Sequence, residues 1–255
     1  MPGKLAILFV IALLVTGCAG TPNGKTAPAH DPWESYNRAV FNFNENFYEY
    51  ILDPVSRGYQ SITPDFVQTG ISNFFSHVDD IFVIVNDLLQ LKIQHFAEDF
   101  MRFVFNTFFG VFGLIDVAKH MDLPKRNEDF GQTLAYWFNW EDSRYFMLPF
   151  LGPSTLRDTW GTAKEWYVYP TNQIDHIRSR NSVIAMRAVD KRSGLLKANR
   201  IAEQASFDKY AFIRDAYLQA RKRDIHDGNP PREKVYIAPP TKEDEALEKE
   251  LELLQ

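Results

Sequence analysis

Cysteine is almost absent. Cys18 is the single cysteine in 255 residues, so an internal disulfide and a cysteine-rich metal site are both excluded. Positive charge is also short. The formal net charge is −5, whereas a general nucleic-acid binder needs a cationic surface to displace counterions, so no nucleic-acid partner is expected. A membrane-crossing helix needs roughly 20 apolar residues. The apolar run Leu5–Val15 has 11 residues and the uncharged run Phe103–Ile115 has 13, so neither qualifies. Catalytic patterns are missing as well. There is no GxSxG elbow, no GxxxxGK[ST] and no GxGxxG. Gly152-Pro153-Ser154 comes nearest and reads as a turn with Ser154 as a helix N-cap. The six histidines never stand three or four apart and form no HExxH, so no helical metal site is predicted. The adjacent acids Asp79-Asp80, Glu98-Asp99, Glu128-Asp129 and Glu141-Asp142 diverge by about 100° on a helix and read as solvated or capping groups. The chain is therefore expected to be no enzyme and to carry neither cofactor nor metal.

Aromatic residues are abundant. They reach 15% of the chain, with 21 Phe, 11 Tyr and 5 Trp. That is more large apolar surface than a small core needs.

Residues 1–17 have the form of a secretory signal, with Lys4 before the apolar run. Val15-Thr16-Gly17-Cys18 resembles the bacterial lipobox, with cleavage before Cys18. In that pathway the thiol receives diacylglycerol and the new amino group receives a further acyl chain. One chain binds a membrane only marginally, whereas three anchor it durably. The following residue is Ala19 and not the Asp that usually retains such lipoproteins at the inner membrane, which implies the outer membrane. Loss of Lys4 with the signal takes the net charge from −5 to −6. Residues 18–30, rich in Ala, Gly, Pro and Thr, form a lipidated tether.

Residues 31–228 read as one helical domain. Asp31-Pro32-Trp33-Glu34 has the capping-box pattern. Trp33, Tyr36, Val40, Phe43, Phe47 and Tyr50 then recur at helical spacing, accompanied by Asn37, Asn42, Asn44 and Asn46, and Asp53-Pro54 is expected to end this element. Ile81, Val85, Leu88 and Leu89 mark a second helical stretch over 71–93. In the third, 96–109, Phe96, Phe100, Phe103, Phe105 and Phe108 occupy a wide apolar arc, and only Asp99, Arg102 and Asn106 form a polar line. An ordinary surface helix has the reverse balance. Such a helix is central in a soluble core or lies against lipid with its polar line turned inward, and composition leaves both open. Between Pro124 and Pro153, Leu134–Trp140 fits helix or strand. Residues 187–223 read as helical and basic, with ten Lys/Arg against four Asp/Glu. Residues 229–255 follow as a flexible acidic tail. The fold class is all-α.

Several blocks resemble the MlaA (VacJ) lipoprotein family. They begin with Asp31-Pro32-x-Glu34-x-x-Asn37-Arg38 and Phe41-Asn42-Phe43-Asn44. Asn73-Phe74-Phe75, Val85-Asn86-Asp87-Leu88-Leu89-Gln90 and Arg102-Phe103-x-x-Asn106 follow, then Gly110-x-x-Gly113-x-x-Asp116 and Phe130-Gly131-Gln132-Thr133-Leu134. Leu148-Pro149-Phe150-x-Gly152-Pro153-Ser154-x-x-Arg157-Asp158 and Ala216-Tyr217-x-Gln219-x-Arg221 complete the series. The order of the motifs, after a lipobox, makes the match specific. Two departures affect loops: no glycine occurs in 138–143, where the family has a Gly-rich stretch, and Leu91 stands where a glycine often follows the Leu-Leu-Gln motif.

The resemblance implies a ring-like bundle of amphipathic helices lying in the inner leaflet of the outer membrane, around a central polar channel. It implies removal of phospholipids misplaced in the outer leaflet, transfer to a periplasmic MlaC-type carrier, and association with a trimeric porin. Within that frame Asp99, Arg102 and Asn106 are expected to line or brace the polar path, the alternative for Asp99 and Arg102 being a helical ion pair. Asn42-Phe43 is expected to influence gating, the alternative being plain helix packing. A porin scaffold without transport and a lipid-cleaving enzyme are the rival readings.

Replacing Cys18→Ser should abolish acylation and release the chain from the membrane fraction. Incorporation of labelled palmitate and sedimentation of the membranes check this.

Overall fold

The computed structural model describes residues 30–138 and 140–231. Among the described residues, eight α-helices and one short hairpin make up the body. Helix α1 (Glu34–Phe47) passes through a π-helical turn (Tyr48–Leu52) into α2 (Asp53–Ile62). Pro54 therefore does not end the first element. It sits in the first turn of α2, where a missing N–H costs nothing. The long helices α3 (Asp65–Leu89) and α4 (Ile93–Phe108) form an antiparallel pair. Helix α5 (Phe130–Phe138) resolves the aromatic segment as helix and packs on α6 (Leu156–Val168). The basic region is two helices, α7 (Ile177–Ala205) and α8 (Lys209–Ile225), with α8 capped by Asp208 accepting from the Ala211 N–H.

The all-α reading missed one element. Strands β1 (Tyr145–Leu148) and β2 (Gly152–Thr155) pair antiparallel, with Tyr145 opposite Thr155. Each strand has four residues, too short for a visible alternation. Phe150 (φ 63°) and Gly152 (φ 88°) turn the chain between them. Ser154 lies in β2, and it is Thr155 that caps α6, accepting from the Asp158 N–H at 3.1 Å.

The hairpin is held by the asparagines of α1. Asn37 Oδ1 accepts from the Met147 N–H at 2.9 Å, and Asn37 Nδ2 donates to Asp31 at 2.8 Å. Two turns on, Asn44 donates to the Leu148 carbonyl at 2.8 Å and accepts from the Phe150 N–H at 2.7 Å. Asp31 is no helix cap. It is fully buried, accepting also from the Tyr210 hydroxyl and Arg214, and so ties the start of the fold to α8. The apolar core beside it is small: Val40, Phe41, Tyr145, Met147 and Tyr210.

Burial is inverted. Among the described residues, 12 apolar side chains are buried against 26 polar or charged ones. Phe66, Phe108 and Phe112 are each more than 70% exposed, and Ile81, Val85, Leu88 and Leu89 of α3 also face outward. No described helix is long and apolar enough to cross a membrane. Water penalises such an exterior, and a hydrocarbon environment does not.

Leu91 ends α3 in the left-handed region, at φ 59°, and its side chain is exposed. A Cβ there costs energy that glycine avoids. Leu91→Gly should therefore raise stability by about 1 kcal/mol, read as a higher denaturation midpoint of the purified protein. An unchanged or lower midpoint would contradict this.

Candidate functional site

Helix α4 turns its polar line inward. Asp99, Arg102 and Asn106 are its three buried residues, while every phenylalanine on it is half-buried or exposed. The line does not pair along the helix. Arg102 donates to Asp116 at 2.6 Å and to the Leu123 carbonyl at 2.8 Å, and its Nε lies 3.8 Å from Asp80 of α3. Asn106 donates to the other Asp116 oxygen at 3.0 Å and accepts from the Ala118 N–H. Asp99 meets Arg126 at 3.3 Å. Lys125 bonds Asp80 and the Ser76 carbonyl. The segment 110–126 is thus strapped to α3 and α4 through charge. Gly113 (φ 85°) lets the strap pass over His77, where a Cβ would meet the ring at 2.4 Å.

Electrostatics follow burial. Desolvation pushes the Asp80 carboxyl up against the pull of Lys125 and Arg102. Burial also opposes ionisation of Asp116, but its bonds from Arg102 and Asn106 outweigh it and hold it below the usual range. His77, stacked on Phe103 with ring centroids 4.5 Å apart, is lowered by burial and by Lys125 and Arg102.

A second cluster joins motifs distant in sequence. Asp158 accepts from Arg157 at 2.8 Å, from Arg221 at 2.7 Å and from the Tyr217 hydroxyl at 2.9 Å, and Arg221 also grips Asp129 at 2.7 Å. Burial opposes ionisation of Asp158, yet Arg221 and Arg157 prevail and keep it charged. The helices meet closely here: a Cβ on Gly131 would lie 2.3 Å from Asp158 Oδ1, and one on Gly161 would lie 2.8 Å from the Gly131 nitrogen. A third cluster links α3 to α5. Thr133 donates to Asn86 at 2.8 Å, Gln90 donates to Glu128 at 2.9 Å, and the Trp137 indole donates to the Leu89 carbonyl.

Three of the buried acids had a sequence signal that was read otherwise. In Asp79-Asp80 and Glu98-Asp99 the divergence on a helix sends one acid of each pair inside, and in the loop pair Glu128-Asp129 it is Glu128 that is buried. Lys125 and Arg126, the partners of Asp80 and Asp99, and Asp116, the partner of Arg102, come from an irregular loop whose path no periodicity reports. Asn42 is exposed, and half-exposed Phe43 packs edge-on against Phe150 of the hairpin turn, 5.0 Å between centroids. They stand well away in sequence from the polar line and contact a different element. Cys18 and most of the acidic tail, 232–255, lie outside the described residues.

Two open grooves with charged residues in their walls flank these clusters. One, about 640 Å³, is lined by Arg102, Asp116, Lys119, Asp122, Pro124 and Lys125. Beside it the loop exposes Phe109, Val111, Phe112, Leu114 and Ile115. The other, about 510 Å³, lies between α2 and α7 and includes Arg57, Lys197 and Arg200 with the buried pair Asp53–Arg192 at 2.6 Å. Charged groups and apolar side chains thus stand next to one another, which suits an amphiphile.

Burial raises the Glu165 carboxyl to about 7, against the bond it accepts from the Phe130 N–H. A carboxyl whose folded-state pKa is raised contributes most below its unfolded pKa, near 4.3, and loses that contribution as pH rises to about 7. Stability should fall over that window, and Glu165→Gln should flatten the fall. Equal slopes for both proteins in pH-dependent melting would contradict it.

Comparison with known proteins identifies the family of this fold. The family model of the MlaA lipoprotein matches residues 29–224. The intermembrane phospholipid transport system lipoprotein MlaA of Escherichia coli is 33% identical over 223 residues, covering 85% of this chain and 86% of that protein. Its Haemophilus influenzae counterpart is 29% identical over 229 residues, covering 88% and 90%. An uncharacterized protein of Rickettsia felis is 33% identical over 197 residues, covering 77% and 78%. A solved structure described as the structural basis for maintenance of bacterial outer membrane lipid asymmetry superposes with a TM-score of 0.65 at 32% identity, covering 78% of this chain and 99% of that one. A mostly helical body, a matching fold and a family model spanning most of the sequence lead to one assignment: this chain belongs to the MlaA lipoprotein family.

Proposed function

We propose that this chain is a lipid-anchored outer-membrane protein that takes phospholipids misplaced in the outer leaflet, passes them along a polar route through its helical body, and delivers them to a periplasmic carrier of the MlaC type. The observation that carries this reading is the inverted burial: a charged, hydrogen-bonded interior beneath many exposed apolar side chains, with no helix among the described residues long and apolar enough to span a membrane. The names of the Escherichia coli and Haemophilus influenzae relatives support it. A phospholipid headgroup does not cross hydrocarbon readily, because an unpaired charge there is very costly. A polar wall removes most of that barrier while the tails stay on apolar surface.

The loop beside the 640 Å³ groove offers both surfaces. In this reading the exposed Lys119 meets the headgroup phosphate, and Phe112 and Ile115 meet the tails. Asp99 and Asn106 brace the route from behind, and Arg102, bonded to Asp116, forms part of the groove wall. Asn42 and Phe43 adjust access through the contact of Phe43 with the hairpin turn. A trimeric porin holds the apolar collar in place, and the acyl chains on Cys18 keep it in the inner leaflet.

Cells lacking the chain should accumulate surface-exposed phospholipid, and the wild-type gene should restore asymmetry. Lys119→Glu, which leaves every buried pair intact, should restore it only partly. Normal asymmetry in the deletion strain would favour the alternative role, a scaffold for the porin without transport.

A further inference from the structure

At the turn between α3 and α4 a buried carboxylate meets no hydrogen-bond donor, and its near neighbour is a second buried carboxyl, Asp99. Asp87 is fully buried, and neither of its oxygens accepts a hydrogen bond. Leaving a charge so is expensive unless a counter-charge is bound. One ligand atom each from Asp87, His95 and Glu128 lies within 4.8 Å of the others. His95 Nδ1 and Asp99 Oδ1 are also buried and unbonded. Glu128 is held by Gln90 at 2.9 Å and Lys92 at 3.0 Å, which orients it. The local charge is unbalanced. Among the ion pairs of the described residues, Lys92 bonds both Glu128 and Asp227 and Arg126 bonds both Glu98 and Asp99, while Asp87 has none. A divalent cation would offset most of that excess.

We propose that Asp87, His95 and Glu128 bind a divalent transition-metal ion, with Asp99 supporting it, and that the ion clamps the end of α3 to the start of α4 and to the segment entering α5. An imidazole nitrogen beside a few carboxylate oxygens suits zinc better than magnesium or calcium, which require more oxygen ligands. Ligand atoms on tetrahedral zinc stand about 3.4 Å apart, given bonds near 2.1 Å. The spread of 4.8 Å closes by side-chain rotation of Asp87 and His95, since neither Asp87 oxygen nor His95 Nδ1 has a donor bond to break. The histidine spacing in the sequence hides this site, because its ligands come from two helices and a loop. Zinc binding here demands nothing of lipid transport.

The test uses the full-length lipoprotein in detergent, stripped by a chelator and titrated with Zn²⁺ alone. One Zn²⁺ per chain and a raised melting midpoint are expected, because a ligand bound only by the folded state stabilises it. Asp87→Asn and His95→Gln should each weaken binding at least about tenfold, with helicity unchanged by circular dichroism. His120→Gln, on an exposed histidine outside the cluster, should bind like the wild type. His95 is only partly buried, so His95→Gln remains decisive if Asp87→Asn does not fold. Absence of Zn²⁺ binding by the wild type, or wild-type affinity in His95→Gln, would overturn the proposal.

Discussion

A charge taken out of water must meet an opposite charge or a set of hydrogen bonds, and this requirement organises the molecule. Most small domains satisfy it by keeping charges outside. Here Asp31, Asp80, Asp99, Arg102, Arg157 and Asp158 are all inside. The helices therefore meet along polar stripes, and their apolar faces are left for the surroundings. Pairing fixes register: Arg102 reaches Asp80 and Asp116 only if α3, α4 and the following loop are correctly aligned. Removing one member of such a pair strands its partner and costs about 3–5 kcal/mol, whereas exchanging both for apolar groups can cost little.

The same logic gives the scattered motifs their meaning. Asn37 and Asn44 are two turns apart on α1 and bond successive backbone groups of one hairpin. Arg157 and Asp158 at the start of α6 meet Tyr217 and Arg221 of α8. Each connection is a directional bond in a low-dielectric interior, so one side chain cannot easily replace another. An apolar core tolerates volume-conserving exchange, and this interior does not.

Much of this was legible beforehand in the pattern of α4, where Asp99, Arg102 and Asn106 form a polar line at helical spacing among the phenylalanines. Periodicity reports which face differs from the rest, and here it marked the buried face correctly. What periodicity misses is tertiary. The capping pattern at Asp31 is satisfied locally by any helix start, yet Tyr210 and Arg214 claim that carboxylate. Pro54 obeys helix grammar as well, since a first turn accepts proline as readily as an end does. The hairpin strands have four residues each, below the length at which alternation stands out. Leu91 was noticed as an oddity of sequence, and its φ of 59° explains why glycine suits that place.

The central claim is that the exposed aromatic surface faces acyl chains. Because the lone native cysteine is the expected acylation site, a second cysteine can carry a nitroxide without competition. Labels at Phe108→Cys and Phe112→Cys in the protein reconstituted into bilayers, with Arg178→Cys as an exposed control on α7, report their surroundings by collision with oxygen and with a water-soluble nickel chelate. The account predicts that oxygen dominates at Phe108 and Phe112 and nickel at Arg178. Nickel dominating at all three positions would contradict it.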